Sequence, residues 1–299
     1  MAIVQSVDVF TPIVDDPYMF GRIAAANALS DIYAVGAKPL CALNILLFPC
    51  AMGAEAARVL TGGADAIRQA GAVILGGHTV DDPQPKYGLA VTGVAQKSQI
   101  ISHQGAMPGD ALILTKKIGT GVLYSAAKSA SGPLVKIAGG KKKLSASMAE
   151  AVESMARTNQ AASEAMIAAG VNACTDITGF GLLGHGRNMA EKSGACLVIS
   201  ASAVPRFDGA LELASHGPAG RGMNRNMRWS KPALKQEKEV AASFTRLFCD
   251  PQTSGGLLIS LPEKKAAGLL AALHKGGDTA SAIIGHVEKH TGACVRLVP

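Results

Sequence analysis

Four acidic positions in the 299-residue sequence stand where an aspartate could do chemistry: Asp8, Asp31, the pair Asp81 and Asp82, and Asp176. In "GVNACTDITGFGLLGHG", residues 170 to 186, Asp176 sits between an apolar run and a stretch holding Thr178, Gly179, Gly181 and Gly184. Glycine accepts backbone angles that other residues avoid, so this is where an extended chain turns into a helix, and ligands collect at such junctions. Any one of these aspartates could equally cap a helix or fill a turn. Asp31 has a more telling context. It falls inside "AANALSDIYAVG", where small apolar neighbours leave it little water, and a buried carboxylate needs a cation or a hydrogen-bond donor. Magnesium is the expected cation, because it takes a few carboxylate oxygens and completes its shell with phosphate and water. The glycine turn "LGGHTVDDP", residues 75 to 83, offers successive backbone N–H groups suited to a phosphate or a ribose. It lacks P-loop spacing, and the isolated G-x-G-x-x-G in "GFGLLGHG" is a weak signal.

The elements that must position these groups alternate along the chain. "AIVQSVDVF" reads as a strand with Asp8 near its end, and a helix opened by Asp16 and Pro17 closes around Gly36. There follow the buried strand "LCALNILLF", the amphipathic helix "AEAARVLTGGADAIRQAG", the strand "AVILGGHTV" entering its glycine turn, and the strand "KYGLAVTGVAQ". Gly105, Pro108 and Gly109 precede a new apolar strand, dividing the chain into domains at 1–106 and 107–299. The second domain reads as a strand, a glycine-started helix, a small basic linker to about residue 145, and one long helix from 146 to about 169. Asp176 then ends a strand before a glycine turn and a helix; later come the strand "CLVISASAV", the turn and strand "FCDPQTSGGLLISLP", a helix and a last strand around "SAIIGHVEK". The class is α/β and α+β in two domains.

Composition narrows the function. Apolar residues make up 48% and charged residues 17%, which describes a compact chain rather than a disordered one. The net charge is +7, but the basic residues are scattered and aromatics are only 4%, so no nucleic-acid partner is expected. Six cysteines without C-x-x-C spacing read as reduced core residues of a cytoplasmic protein. No signal segment or membrane span is expected. The apolar strands around 40 to 48 and 87 to 96 exceed what one short sheet buries, which points to a homodimer through the N-terminal half.

Four blocks, "RIAAANALSDIYAVGAKPLCALNILLFP", "GGHTVDDPQPKYGLAVTGVA", "NACTDITGFGLLGHG" and "CDPQTSGGLLIS", resemble selenophosphate synthetase, also called selenide, water dikinase. The resemblance runs from Asp8 to the C-terminus. Within the wider superfamily of aminoimidazole ribonucleotide synthetase, thiamine-phosphate kinase and a hydrogenase-maturation protein, "DPQTSGG" with "LSDIYAVGAKPL" favours the selenium enzyme. It implies an aminoimidazole-ribonucleotide-synthetase-like fold whose N-terminal domain forms a dimeric barrel, with ATP between the domains. The implied reaction converts selenide, ATP and water to selenophosphate, AMP and phosphate, with Mg2+ and a monovalent cation such as K+. By the same resemblance Asp8 is a nucleotide-site residue, Asp31 binds magnesium and faces ATP, Gly76, Gly77, His78 and Thr79 form the nucleotide-binding loop, and Asp176 is a second magnesium ligand. The family's glycine-rich segment with a cysteine or selenocysteine, a lysine and another aspartate is expected upstream of Met1. No catalytic role is therefore moved to Cys41 or Cys174, and little selenophosphate is expected from residues 1 to 299 alone. A misplaced start at a selenocysteine codon is the expected explanation, ahead of a truncated non-catalytic nucleotide-binding paralogue. A related ATP-dependent small-molecule kinase or synthetase is the alternative function.

Overall fold

The computed structural model describes residues 1–299 except 130, 131, 218, 219, 291 and 293. The N-terminal half contains β1 (Ala2–Phe10), α1 (Pro17–Ala34), β2 (Lys38–Phe48), α2 (Gly53–Gln69), β3 (Val73–Asp81) and β4 (Lys86–Ala95). The four strands form one sheet in the order β1-β4-β2-β3. β4 runs antiparallel to both neighbours, from Ala2 opposite Ala95 to Phe10 opposite Tyr87 on one side. β2 and β3 are parallel, as a helical crossover through α2 requires.

α1 carries the site, and its start follows the sequence signals. Asp16 Oδ1 accepts the Met19 N–H at 2.8 Å and Pro17 occupies the first turn. The helix is apolar nearly all round because it is enclosed by the sheet, α2 and the C-terminal half. It crosses α2 backbone to backbone: a Cβ on Gly21 would stand 1.9 Å from the Val59 carbonyl oxygen, and one on Gly62 would stand 2.0 Å from that of Tyr18.

The C-terminal half contains β5 (Asp110–Leu114), α3 (Thr120–Ser129), α4 (Gly132–Ile137), α5 (Lys141–Ala156), α6 (Gln160–Ala169), β6 (Ala173–Asp176), α7 (Gly181–Ser193) and β7 (Ala195–Ser200). It continues with α8 (Ala210–His216), α9 (Arg221–Ser230), β8 (Leu234–Gln236), α10 (Ala242–Phe248), β9 (Leu257–Pro262), α11 (Glu263–Lys275), β10 (Ala282–Lys289) and β11 (Val295–Val298). Its seven-stranded sheet has the order β6-β9-β5-β10-β7-β11-β8. Alternate residues of β5 enter two different cores: Leu112 and Leu114 pack with α3, α5 and α7, whereas Ala111 and Ile113 pack with α6 and α11.

Two expectations for this half are corrected. The lysines read as a linker begin α5, and the single long helix is two helices, α5 and α6, separated at Arg157–Asn159. Arg157 turns extended and the Asn159 side chain is drawn into the interior, so the helical ladder stops without glycine or proline.

Candidate active site at the domain interface

Asp31 is exposed while its neighbours from Ile23 to Ala34 are buried, which corrects the expectation that it is sealed among them. Its carboxylate accepts the Ser6 hydroxyl at 2.6 Å. Ser6 and Asp8 lie two apart on β1, so both turn to the face covered by α1. Asp176 ends β6 in the other half and is only 5% exposed. Ser6, Asp31, Ser102, His103 and Asp176 line one cleft of about 360 Å³. Its carboxylates repel. Burial, and then the Asp31 charge, lift the Asp8 carboxyl to about 6; burial, Asp31 and Asp8 lift that of Asp176 to about 7.

Among the described residues, no three His, Cys, Asp or Glu side chains are grouped tightly enough to enclose a metal by themselves. The donor set is instead a few carboxylates from two halves facing across a cleft, with the Asp31 charge opposing the ionisation of Asp8 and Asp176. That fits magnesium, which leaves most of its shell to phosphate and water. It does not fit zinc, which is held by nitrogen and sulfur donors.

Gly76, Gly77, His78 and Thr79 are placed elsewhere. They form part of β3, not a turn, and are exposed on that edge of the sheet. Gly77 serves a close strand approach next to a register shift, since a Cβ there would stand 2.2 Å from the Asn44 carbonyl oxygen of β2, whereas one on Gly76 would meet open space. β1, with Asp8, forms the opposite edge, three strand spacings or about 14 Å away.

The block "CDPQTSGG" builds the support behind Asp176. Gln252 Oε1 accepts the N–H groups of Gly119 and Thr120 at 2.8 and 3.1 Å, and the buried Asp250 accepts that of Val122 at 3.1 Å, together fixing the start of α3. Burial holds the Asp250 carboxyl up at about 7. Ser254 takes a positive φ of 45° and donates its N–H to Asn27 on α1 at 2.9 Å, joining the halves. Lys116 is buried and donates to the carbonyls of Arg157 and Ser254 at 2.6 and 3.0 Å; desolvation lowers its ammonium to about 7. Beyond Asp176, the Thr178 N–H donates to His185 Nε2 at 3.1 Å, and burial lowers that imidazole to about 4, keeping it neutral. Sequence reading passed over Asn27, Lys116 and His185. For Asn27 a signal existed: a polar side chain in an apolar helix needs a partner.

Residues 1–95 match the N-terminal domain, and residues 107–297 the C-terminal domain, of AIR synthase related proteins. Solved structures share the fold: the hydrogenase maturation protein HypE in complex with ATP (TM-score 0.73, 18% identity, 99% of this chain and 82% of that one) and thiamine monophosphate kinase from Aquifex aeolicus (TM-score 0.70, 16% identity, 99% and 87%). Curated relatives are nearer. The chain is similar to selenide, water dikinase of Caldanaerobacter subterraneus (47% identity over 97% of this chain and 80% of the relative). Selenide, water dikinase of Geobacter metallireducens is 43% identical over 99% of this chain and 83% of the relative. Within the AIR synthase related fold, the chain belongs to the selenide, water dikinase family.

Proposed function

We propose that this protein uses ATP and water to convert selenide to selenophosphate, releasing AMP and phosphate. The observation that carries the reading is identity of 42–47% to selenide, water dikinases, sustained across both halves and therefore across the cleft where Asp31 and Asp176 meet. Asp31 and Asp176 hold Mg2+. When bound, the ion neutralises the charge that builds on the phosphates, the main demand of phosphoryl transfer. Asp8 turns its carboxylate to the nucleotide, where it suits ribose hydroxyls or ordered water. A monovalent cation such as K+ accompanies magnesium, with no residue of this chain assigned to it.

The protein acts as a homodimer. Ile3 and Val7 of β1, Leu40 and Leu43 of β2, and Val73, Leu75 and Val80 of β3 expose a largely apolar face around the polar pair Gln5 and Thr92, while Tyr87, Leu89 and Val91 of β4 are buried against the helices. Such a face calls for a covering partner. A second copy also supplies what one chain lacks: Gly76–Thr79 and Asp8 occupy opposite sheet edges, and two-fold closure into a barrel brings the edge of one subunit to the nucleotide of the other. The expected site is the cytoplasm. All six cysteines carry free thiols, and among the described residues no helix is long and apolar enough to cross a membrane.

The test is phosphorus NMR of ATP, selenide and magnesium incubated with the purified protein. However small the turnover of residues 1 to 299 alone, the AMP, phosphate and selenophosphate that form are expected in equal amounts. ADP as the sole nucleotide product overturns the reading.

A further inference from the structure

One basic stretch has no part in the cleft. Residues 213–236 hold five arginines and lysines and no aspartate or glutamate, in a chain whose net charge is +7. On α9, Arg221, Arg225 and Arg228 are spaced i, i+4 and i+7 and stand exposed, while Met223, Asn226 and Ser230 are buried on the opposite side. Among the described residues no carboxylate pairs with any of these three arginines. Like charges at such spacings repel and weaken the helix that bears them.

Aromatic side chains flank the same face. Trp229 is 36% exposed, and Phe180, from the turn after Asp176, is 47% exposed. Their rings pack 5.6 Å apart at 37°, and the Arg187 guanidinium lies 4.5 Å from the indole centroid. Gly184 of α7 leaves room for the pair: a Cβ there would stand 2.6 Å from Phe180 Cβ and 3.2 Å from Trp229 Cζ3. From the buried side of α9, Asn226 Nδ2 donates to the carbonyls of Gly179 and Cys249 at 2.9 and 3.0 Å. The patch is therefore built onto the segment that leaves the cleft at Asp176.

We propose that this face of α9, together with Phe180, docks an acidic segment of a partner protein. Three unpaired guanidiniums call for carboxylates, and tryptophan beside arginine is the composition that anchors protein interfaces. A nucleic acid fits less well, because bases stack on open ring faces and the indole is already flanked by Arg187 and Phe180. The row from Arg221 to Arg228 is also only about 10 Å long. The inference does not depend on the reaction assigned to the cleft.

Trp229 is the only tryptophan of the chain, so its emission reports on the patch directly. The full chain is titrated with poly-L-glutamate and, in parallel, with oligodeoxythymidine and with phosphatidylserine vesicles. Two charge-matched variants are compared: Arg225→Glu with Arg228→Glu, and Lys141→Glu with Lys142→Glu in the basic run that begins α5. Polyglutamate is expected to shift the emission, and the α9 pair to weaken its binding about tenfold more than the lysine pair does. Far-ultraviolet spectra and calorimetric binding of magnesium and ATP should be unchanged in both. An emission unmoved by polyglutamate, or equal weakening by the two pairs, would overturn the proposal. Tighter binding of oligodeoxythymidine or of the vesicles than of polyglutamate would give the face to another class of partner and overturn it too. So would loss of magnesium and ATP binding in the α9 pair, which would make these arginines part of the nucleotide site.

Discussion

In the seven-stranded sheet, β5, β7 and β9 bury both of their faces, with helices packed above and below. In the four-stranded sheet, β1 alternates between half-buried and exposed residues, and β3 is exposed along most of its length. The first sheet is a finished layer whose residues answer to packing within the chain. The second is finished on one side, and its open side exposes large apolar side chains such as Ile3, Val7, Leu43 and Leu75 around a few polar ones such as Gln5 and Thr92. On the homodimer proposed above, this apolar face beside a glycine-bearing edge would be the interface, and Gly76–Thr79 would reach Asp8 only across two chains.

The comparison is tested most severely in the closed sheet. Leu258→Ala, at a fully buried position of β9, is expected to cost about 3 kcal/mol in denaturant unfolding. A loss below about 1 kcal/mol would mean that this layer is less tightly built than its burial says.

On the open sheet, the pair Val7→Asp and Leu75→Asp should halve the mass measured by light scattering while leaving the far-ultraviolet spectrum unchanged. A wild-type mass equal to one chain at micromolar concentration would break the contrast outright.

A smaller effect separates carboxylates by role. Asp8, Asp176 and Asp250 have carboxyl groups raised to about 6, 7 and 7, so each favours the folded state in its protonated form. Their contribution is complete below the ordinary carboxylate range and is lost as pH rises through 6 to 7. Metal-free protein should therefore be more stable to denaturant at pH 5 than at pH 8. Asp176→Asn and Asp250→Asn should each flatten that trend. Magnesium with ATP should flatten it in the wild type and in Asp250→Asn, and add little in Asp176→Asn. Equal responses of the two variants to magnesium would show that Asp176 is as structural as Asp250.

The smallest expected change in stability comes from Asp31→Asn, within about 0.5 kcal/mol because the side chain is exposed. Its effect on calorimetric binding of magnesium and ATP should nevertheless be large, and unchanged binding would remove Asp31 from the site.

Much of this was legible in the residues. Asp16 with Pro17 announced α1, the alternation in "AIVQSVDVF" announced β1, and the four sequence blocks identified the family to which the chain belongs. Other features were hidden for physical reasons. Glycine marks tight turns and close strand approaches alike, so the Gly76–Gly77 pair reads as a turn, although both lie in β3 and Gly77 packs against Asn44 of the neighbouring strand. The α5–α6 break has no breaker residue; it follows from Asn159 satisfying distant partners, which local propensity does not contain. Asp31 read as buried because all its neighbours are, whereas exposure on a helix depends on which side is left uncovered. The stretch holding α8, α9, β8 and α10 gave no firm pattern, being short elements packed at the margin of a large sheet.

The antiparallel pairing of β1 with β4 has a consequence in time. During synthesis β1 leaves the ribosome before β2, β3 and β4, yet its hydrogen-bonding partners run from Tyr87 to Ala95, so it waits for two helices and two other strands to be made. Closing so long a loop is entropically slow compared with forming α1 or α2. The carboxylate of Asp8 thus reaches its station late, after the helix carrying Asp31 can already form. A nascent chain stalled before β4 would present an unpaired first strand to whatever chaperone or sister chain is at hand.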